Sequence, residues 1–152
     1  MVYHDILQFP REYEEAAHAR RVDLHTLLST SDIVSLHVPL DPPTHHMISD
    51  KELALMKRDA VLINTCRGPV VDEEALIRAL RNKVIFGAGL DVVETEPIKP
   101  DNPLLRMDNV IITPHMATRA IESTINATNF IVENISRLVR GEALQSVVAP
   151  VR

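Results

Sequence analysis

Three ionisable residues of this chain stand just beyond apolar runs: Arg67, Glu96 and His115. Arg67 follows AVLINTC, Glu96 comes a few residues after VIFGAGLD, and His115 follows VIIT and Pro114. A guanidinium grips a carboxylate through a bidentate fork that lysine cannot reproduce. A carboxylate beside an imidazole favours the imidazolium and fixes its tautomer. That imidazolium can protonate a carbonyl oxygen, and the neutral ring can take the proton back in the reverse step. An anion clamp with an acid/base histidine suits reduction of a 2-oxo acid to a 2-hydroxy acid. No side chain supplies a hydride, so a nicotinamide cofactor would have to. Each residue also has a plain structural use. The arginine can serve a surface ion pair, the glutamate can sit solvated in its proline-rich loop, and the histidine can shape a turn. Their joint placement is what carries the chemical reading.

That placement depends on the elements before each residue. Residues 60–65 read as a buried strand ending in a polar loop. Residues 33–38, 84–91 and 110–113 read as further strands, stopped or followed by Pro39, the 97–103 proline cluster and Pro114. Between them lie amphipathic helical patterns at 22–28, 50–56 and 73–81. Ser49 with Glu52 forms a capping-box signature, and Asp72 can cap the helix at 73. A last helix is expected from a Thr118 cap to about Arg140, with Ile121, Ile125, Ile131, Ile135 and Leu138 towards one side and Gly141 as its stop. Residues 1–4 form a short extended stretch ending at Asp5. The charged segment 11–21 reads as a solvated loop or helix. Strands alternating with helices make an α/β fold built from βαβ units around a largely parallel sheet. The ends of such strands line the edge where ligands bind.

Composition narrows the setting. With 152 residues there is room for one domain and a real core. A net charge of −5 argues against a nucleic-acid or anionic-membrane surface. The single cysteine, Cys66, excludes an internal disulfide and fits a reducing cytosol. No apolar run nears the ~20 residues a membrane helix needs, and MVYHDILQFPREYEE lacks a signal-peptide pattern. A cytoplasmic address is expected. His45 and His46 are adjacent and have no Cys/His cluster around them, so they read as loop residues and not as metal ligands.

The segments LHVPLDPPTHHMIS, MKRDAVLINTCRGPVVDEEALIRAL, GAGLDVVETEP and NPLLRMDNVIITPHMA resemble the D-isomer-specific 2-hydroxyacid dehydrogenases. This is the family of phosphoglycerate dehydrogenase, glyoxylate and hydroxypyruvate reductases, D-lactate dehydrogenase and formate dehydrogenase. The resemblance covers roughly residues 32–150 in order. It implies a Rossmann-like parallel sheet with flanking helices. It also implies that Arg67 binds the substrate carboxylate, Glu96 pairs with the histidine, and His115 is the acid/base. Asp91 would hold the nicotinamide carboxamide, with the backbone around Thr65, Cys66, His115 and Ala117 lining that pocket. His37, Val38 and Pro39 would lie beside the adenosine. Asp5, ending VYHD, would take the adenosine ribose hydroxyls. Ile6 and Leu7 follow it with no arginine directly after, which favours NAD over NADP. Family members dimerise through the cofactor domain, partly by the long last helix, so a homodimer acting on a small 2-oxo or 2-hydroxy acid is implied.

One departure from the family is large. The chain has four glycines only, Gly68, Gly87, Gly89 and Gly141, and no G-x-G-x-x-G turn. The first βα unit, with its phosphate cradle, is therefore expected to be missing. Residues 1–140 would be a partial NAD-binding domain and 141–152 a tail returning towards a substrate domain. Two other readings stay open: a corepressor-like, NAD-sensing interaction protein resembling the C-terminal-binding proteins, and an inactive truncated fragment.

Overall fold

The computed structural model describes residues 1–148, so the last residues of the expected extended tail lie outside them. Two compact units divide the chain, one from Met1 to His115 and one beginning at Met116.

The first unit holds two parallel sheets. In the smaller, β1 (Val2–Tyr3) pairs with β2 (Arg20–Arg21). Between them runs α1 (Arg11–Ala16), which has no buried residue, as its charge requires. β2 had read as part of a charged loop. Its arginines present no apolar pattern, and the strand exists through backbone pairing alone.

The larger sheet has the order β3-β4-β5-β6, with β3 at Ile33–Leu36, β4 at Val61–Asn64, β5 at Gly87–Leu90 and β6 at Val110–Ile112. Every neighbouring pair is parallel, with Ile33 opposite Val61, Val61 opposite Gly87 and Ala88 opposite Val110. Because side chains alternate along a strand, Val34, Leu36, Leu62, Ala88 and Leu90 fall on one face, and all are buried. They join a single apolar cluster with Leu28, Leu53, Leu76 and Leu80. Those last residues come from α2 (Leu24–Thr30), α3 (Asp50–Leu55) and α4 (Glu73–Arg81). The opposite face is bare: Ile33 is 67% and Ile111 74% exposed.

Caps set the helix starts. Asp23 accepts the Thr26 amide, so α2 begins after it and not at Val22. Asp72 accepts the Ala75 amide at 3.0 Å and opens α4 at the expected residue. The Glu52 carboxylate accepts the Ser49 amide, the returning half of the expected capping box. β5 starts later than the apolar run suggests. Lys83 and Val84 return their amides to Leu80 and Ala79, so the start of VIF finishes α4.

The second unit contains α5 (Ile121–Val139). Thr118 does not cap it. Arg119 closes a turn onto the Met116 carbonyl, and Ala120 takes the cap position with no side-chain bond. Gly141, at φ 70°, lies just past the helix end in the left-handed conformation that suits glycine. Ile121, Ile125, Ile131, Ile135 and Leu138 are all exposed.

Candidate active site

Four strand ends of the larger sheet carry the expected residues on one edge. At the end of β4, Asn64 is buried to 1% exposure and organises the loop beyond. Its side-chain amide donates to the Arg67 carbonyl at 3.0 Å, and its Oδ1 accepts the Cys66 amide at 3.1 Å. A polar side chain at the end of a buried strand thus supplies the bonds the loop backbone needs. Gly68 lets the loop lie against the next strand end, since a Cβ there would come within 1.9 Å of the Val93 carbonyl oxygen. Arg67 itself is exposed. Its Nη1 donates to the Cys66 carbonyl at 2.7 Å, and it makes no ion pair among the described residues. The positive charge is left for an outside anion.

Backbone and side-chain bonds then tie that loop to β5 and β6. The Asp91 amide donates to the Asn64 carbonyl, and the Asp91 carbonyl accepts the His115 amide, both at 2.9 Å. Thr113 donates its hydroxyl to the Asp91 carboxylate, which is 6% exposed. Arg67, Asp91 and His115 therefore hang on one short series of bonds through Asn64.

Glu96 and His115 meet directly, with Nδ1 2.8 Å from Oε2. The other Glu96 oxygen accepts the Val93 amide at 3.2 Å, which orients the carboxylate. A carboxylate in this place can accept a hydrogen bond from a proton carried on His115 Nδ1. His115 has φ 51°, in the left-handed region where few non-glycine residues are found. Its two backbone acceptors, the Asp91 and Thr113 carbonyls, hold it there.

The remaining expected residues are less gathered. His37 is exposed, with Nε2 2.8 Å from the Ser35 hydroxyl. Val38 packs against the core cluster, and the Pro39 carbonyl accepts the Thr44 hydroxyl at 2.6 Å. Thr65 is exposed and Cys66 half-buried and free. Asp5 stands beyond β1 of the smaller sheet, where Oδ1 accepts the Leu7 amide. The Arg21 guanidinium is taken up by the Asp5 and Ile6 carbonyls, at 2.8 and 3.4 Å. Ala117 is exposed and belongs to the second unit.

Sequence reasoning missed Asn64, Thr113 and a group around His46. His46 is 2.8 Å from Glu94, whose other oxygen accepts the Glu73 amide at 3.2 Å. Asn64 had a signal, the lone polar residue closing an apolar run. The His46 pair had none, because its members are 48 residues apart. No group of residues able to hold a metal occurs among the described residues.

The edge suits part of a nicotinamide dinucleotide. A buried carboxylate, a paired imidazole and an exposed guanidinium stand on this one sheet edge, the chemistry that a redox ring and a small acid would meet. No Gly-rich turn for a pyrophosphate is present among the described residues.

Comparison with known proteins identifies the family. The family model described as "D-isomer specific 2-hydroxyacid dehydrogenase, NAD binding domain" matches residues 1–117. A glyoxylate reductase of Korarchaeum cryptofilum is 44% identical over 148 residues, covering 97% of this chain and 44% of that protein. Among solved structures, the holo form of Rhodotorula graminis D-mandelate dehydrogenase superposes with a TM-score of 0.91 at 38% identity, over 99% of this chain and 44% of that one. D-lactate dehydrogenase with NAD+ from Lactobacillus jensenii gives a TM-score of 0.88 at 35% identity, over 98% and 48%. The chain thus spans less than half the length of each of these relatives. By the match over most of its length, the chain belongs to the D-isomer specific 2-hydroxyacid dehydrogenase family, in its NAD binding domain.

Proposed function

We propose that this chain forms the cofactor-binding and acid/base half of an NAD-dependent oxidoreductase interconverting a small 2-oxo acid and a D-2-hydroxy acid. The observation that carries the reading is the 2.8 Å His115–Glu96 pair, on the same sheet edge as Arg67, which makes no ion pair among the described residues. Arg67 holds the substrate carboxylate, which points the C2 carbonyl at His115. Protonated His115, stabilised by Glu96, delivers its proton to the carbonyl oxygen in reduction and recovers it in oxidation. Asp91 would face the nicotinamide carboxamide, with the backbone of Thr65, Cys66 and His115 around the ring. His37, Val38 and Pro39 would flank the adenosine, and Asp5 would take the ribose hydroxyls. Bound there, NAD supplies the hydride. NADP suits the site less, since the Arg21 guanidinium beside Asp5 is already engaged by backbone carbonyls.

Residues 1–140 make up the cofactor part in this reading, and the segment from 141 leads towards the substrate domain. A homodimer is supported by the run of exposed apolar residues on α5. A cytoplasmic setting is supported by the single free cysteine.

The test is a fusion of the N-terminal portion of the Korarchaeum cryptofilum glyoxylate reductase to this chain, assayed for NADH oxidation with glyoxylate and hydroxypyruvate. Turnover is expected. His115→Asn, which tolerates the same backbone conformation, should lower kcat by roughly 10²–10⁴-fold. A folded fusion without turnover, or a fully active His115→Asn variant, would overturn the reading.

A further inference from the structure

Three of the strand-end loops are joined at a point the mechanism above does not use. The loop after β3 ends in His46, which donates its amide to the Pro69 carbonyl at 2.8 Å, two residues beyond Arg67. Ile48 continues this pairing, accepting the Asp72 amide and donating to the Val70 carbonyl. The His46 ring then reaches across to Glu94, two residues before Glu96, at 2.8 Å. Glu94 and Glu73 in turn bond reciprocally, each carboxylate accepting the other's amide, at 3.2 and 2.9 Å. The Asn102 side chain donates to the remaining Glu73 oxygen at 2.7 Å. One face of this joint is backbone pairing, and on the other the His46 side chain spans from the loop after β3 to Glu94. Its ring stacks on His45, with centroids 4.1 Å apart, which limits its rotation. His46 also holds φ 51°, in the left-handed region where few non-glycine residues are found.

The geometry points to His46 as a positioning residue that acts through Glu94, holding the carboxylate clamp at Arg67 and the Glu96–His115 pair in mutual register. This rests on the functional reading above. Neither His46 nor Glu94 touches the reacting atoms. They keep two loops from different strands at the separation a substrate must bridge, with its carboxylate on one and its carbonyl oxygen at the other. Small losses of that alignment are costly to chemistry and cheap to stability.

The test uses His46→Asn, which retains the left-handed backbone and the amide bond to Pro69 but is too short to reach Glu94. In the fusion enzyme kcat/KM for the 2-oxo acid should fall roughly ten- to a hundred-fold, carried mainly by kcat, with KM for NADH unchanged. Glu94→Ala should reproduce the loss, and the double variant should be no worse than either single one. Glu94→Gln should restore near-full activity, since its amide can donate to an unprotonated Nε2 while its oxygen accepts from Glu73. Additive losses, an unaffected His46→Asn, or a Glu94→Gln as damaged as Glu94→Ala would each overturn the proposal. Amide hydrogen exchange on the 152-residue chain separates this from failure of the functional reading, because it needs no turnover. His46→Asn should speed exchange at the Glu73 and Glu94 amides roughly ten-fold and leave Leu62 and Leu90 unchanged. Unchanged exchange at Glu73 and Glu94 would overturn the tie even in an active enzyme.

Discussion

Arg67 is exposed, and its side chain donates to the neighbouring Cys66 carbonyl. Such a residue contributes little to folding, so its use must lie in what it leaves open. A lysine would keep the charge and lose the planar fork that meets both carboxylate oxygens. Arg67→Lys in the fusion enzyme should therefore lower kcat/KM for the 2-oxo acid by roughly 10²-fold, with the thermal unfolding midpoint unmoved. Steady-state kinetics beside calorimetry check this, and a variant with little kinetic loss would remove the clamp assignment. The same separation of roles holds at His115. Its backbone bonds to Asp91 and Thr113 place it, while its ring meets the Glu96 carboxylate. Placement and chemistry use different atoms, so each can be disturbed without the other.

At the scale of elements, the turn after β4 is held by close approach and by a cap. Gly68 lies so near the Val93 carbonyl that an added Cβ would stand 1.9 Å from its oxygen. Both partners are backbone, so relief requires a whole strand end to move. Gly68→Ala should destabilise the chain by about 3 kcal/mol or more in chemical denaturation, an overpacking effect. Asp72, at the start of α4, has its carboxyl held below the ordinary carboxylate range, first by the Ala75 amide and then by the Ser49 hydroxyl. A depressed folded-state value stabilises the fold above the unfolded value, and that contribution is lost as pH falls through the folded one. Asp72→Ala should cost about 0.5–2 kcal/mol at neutral pH. The gap to the parent should close below the ordinary carboxylate range, as denaturation at a series of pH values would show. Asp72 was legible in the sequence, like β3 to β6, because a cap beside an apolar-periodic run and a β-branched run before a proline are local signals. β2 was not, since Arg20 and Arg21 pair by backbone alone. Nor was the His46–Glu94 bond, since adjacent histidines in a loop say nothing about a carboxylate brought up by a different strand. The meeting of Glu96 with His115 was legible because parallel strands deliver their ends to one edge, a rule of topology that needs no contact to be foreseen.

For the whole molecule, the balance of covered and uncovered surface decides what this chain does by itself. The larger sheet is packed on one face and bare on the other, where Ile33, Ser35 and Ile111 are exposed and Val61 and Ile63 half-buried. Among the described residues β3 is an outer strand with no hydrogen-bonded neighbour on its free side, and β1 and β2 form a sheet of their own. Unpaired parallel edges beside apolar surface favour association with other chains. The isolated 152-residue chain should accordingly sediment as larger species as its concentration rises, whereas the fusion should reach a defined size. Cofactor binding follows the same division. Asp5 stands beyond the smaller sheet and Asp91 at the end of the larger, and no Gly-rich turn with its cluster of backbone amides lies between them to receive a pyrophosphate. In the proposed reading the dinucleotide's charged centre then meets no such cluster of amides in this chain. Titration calorimetry should give no saturable NAD binding to the isolated chain at concentrations that saturate the fusion. A saturable isotherm for the isolated chain would mean that the four strand ends bind the cofactor without a phosphate cradle, and would return the nicotinamide edge to the centre of affinity as well as of chemistry.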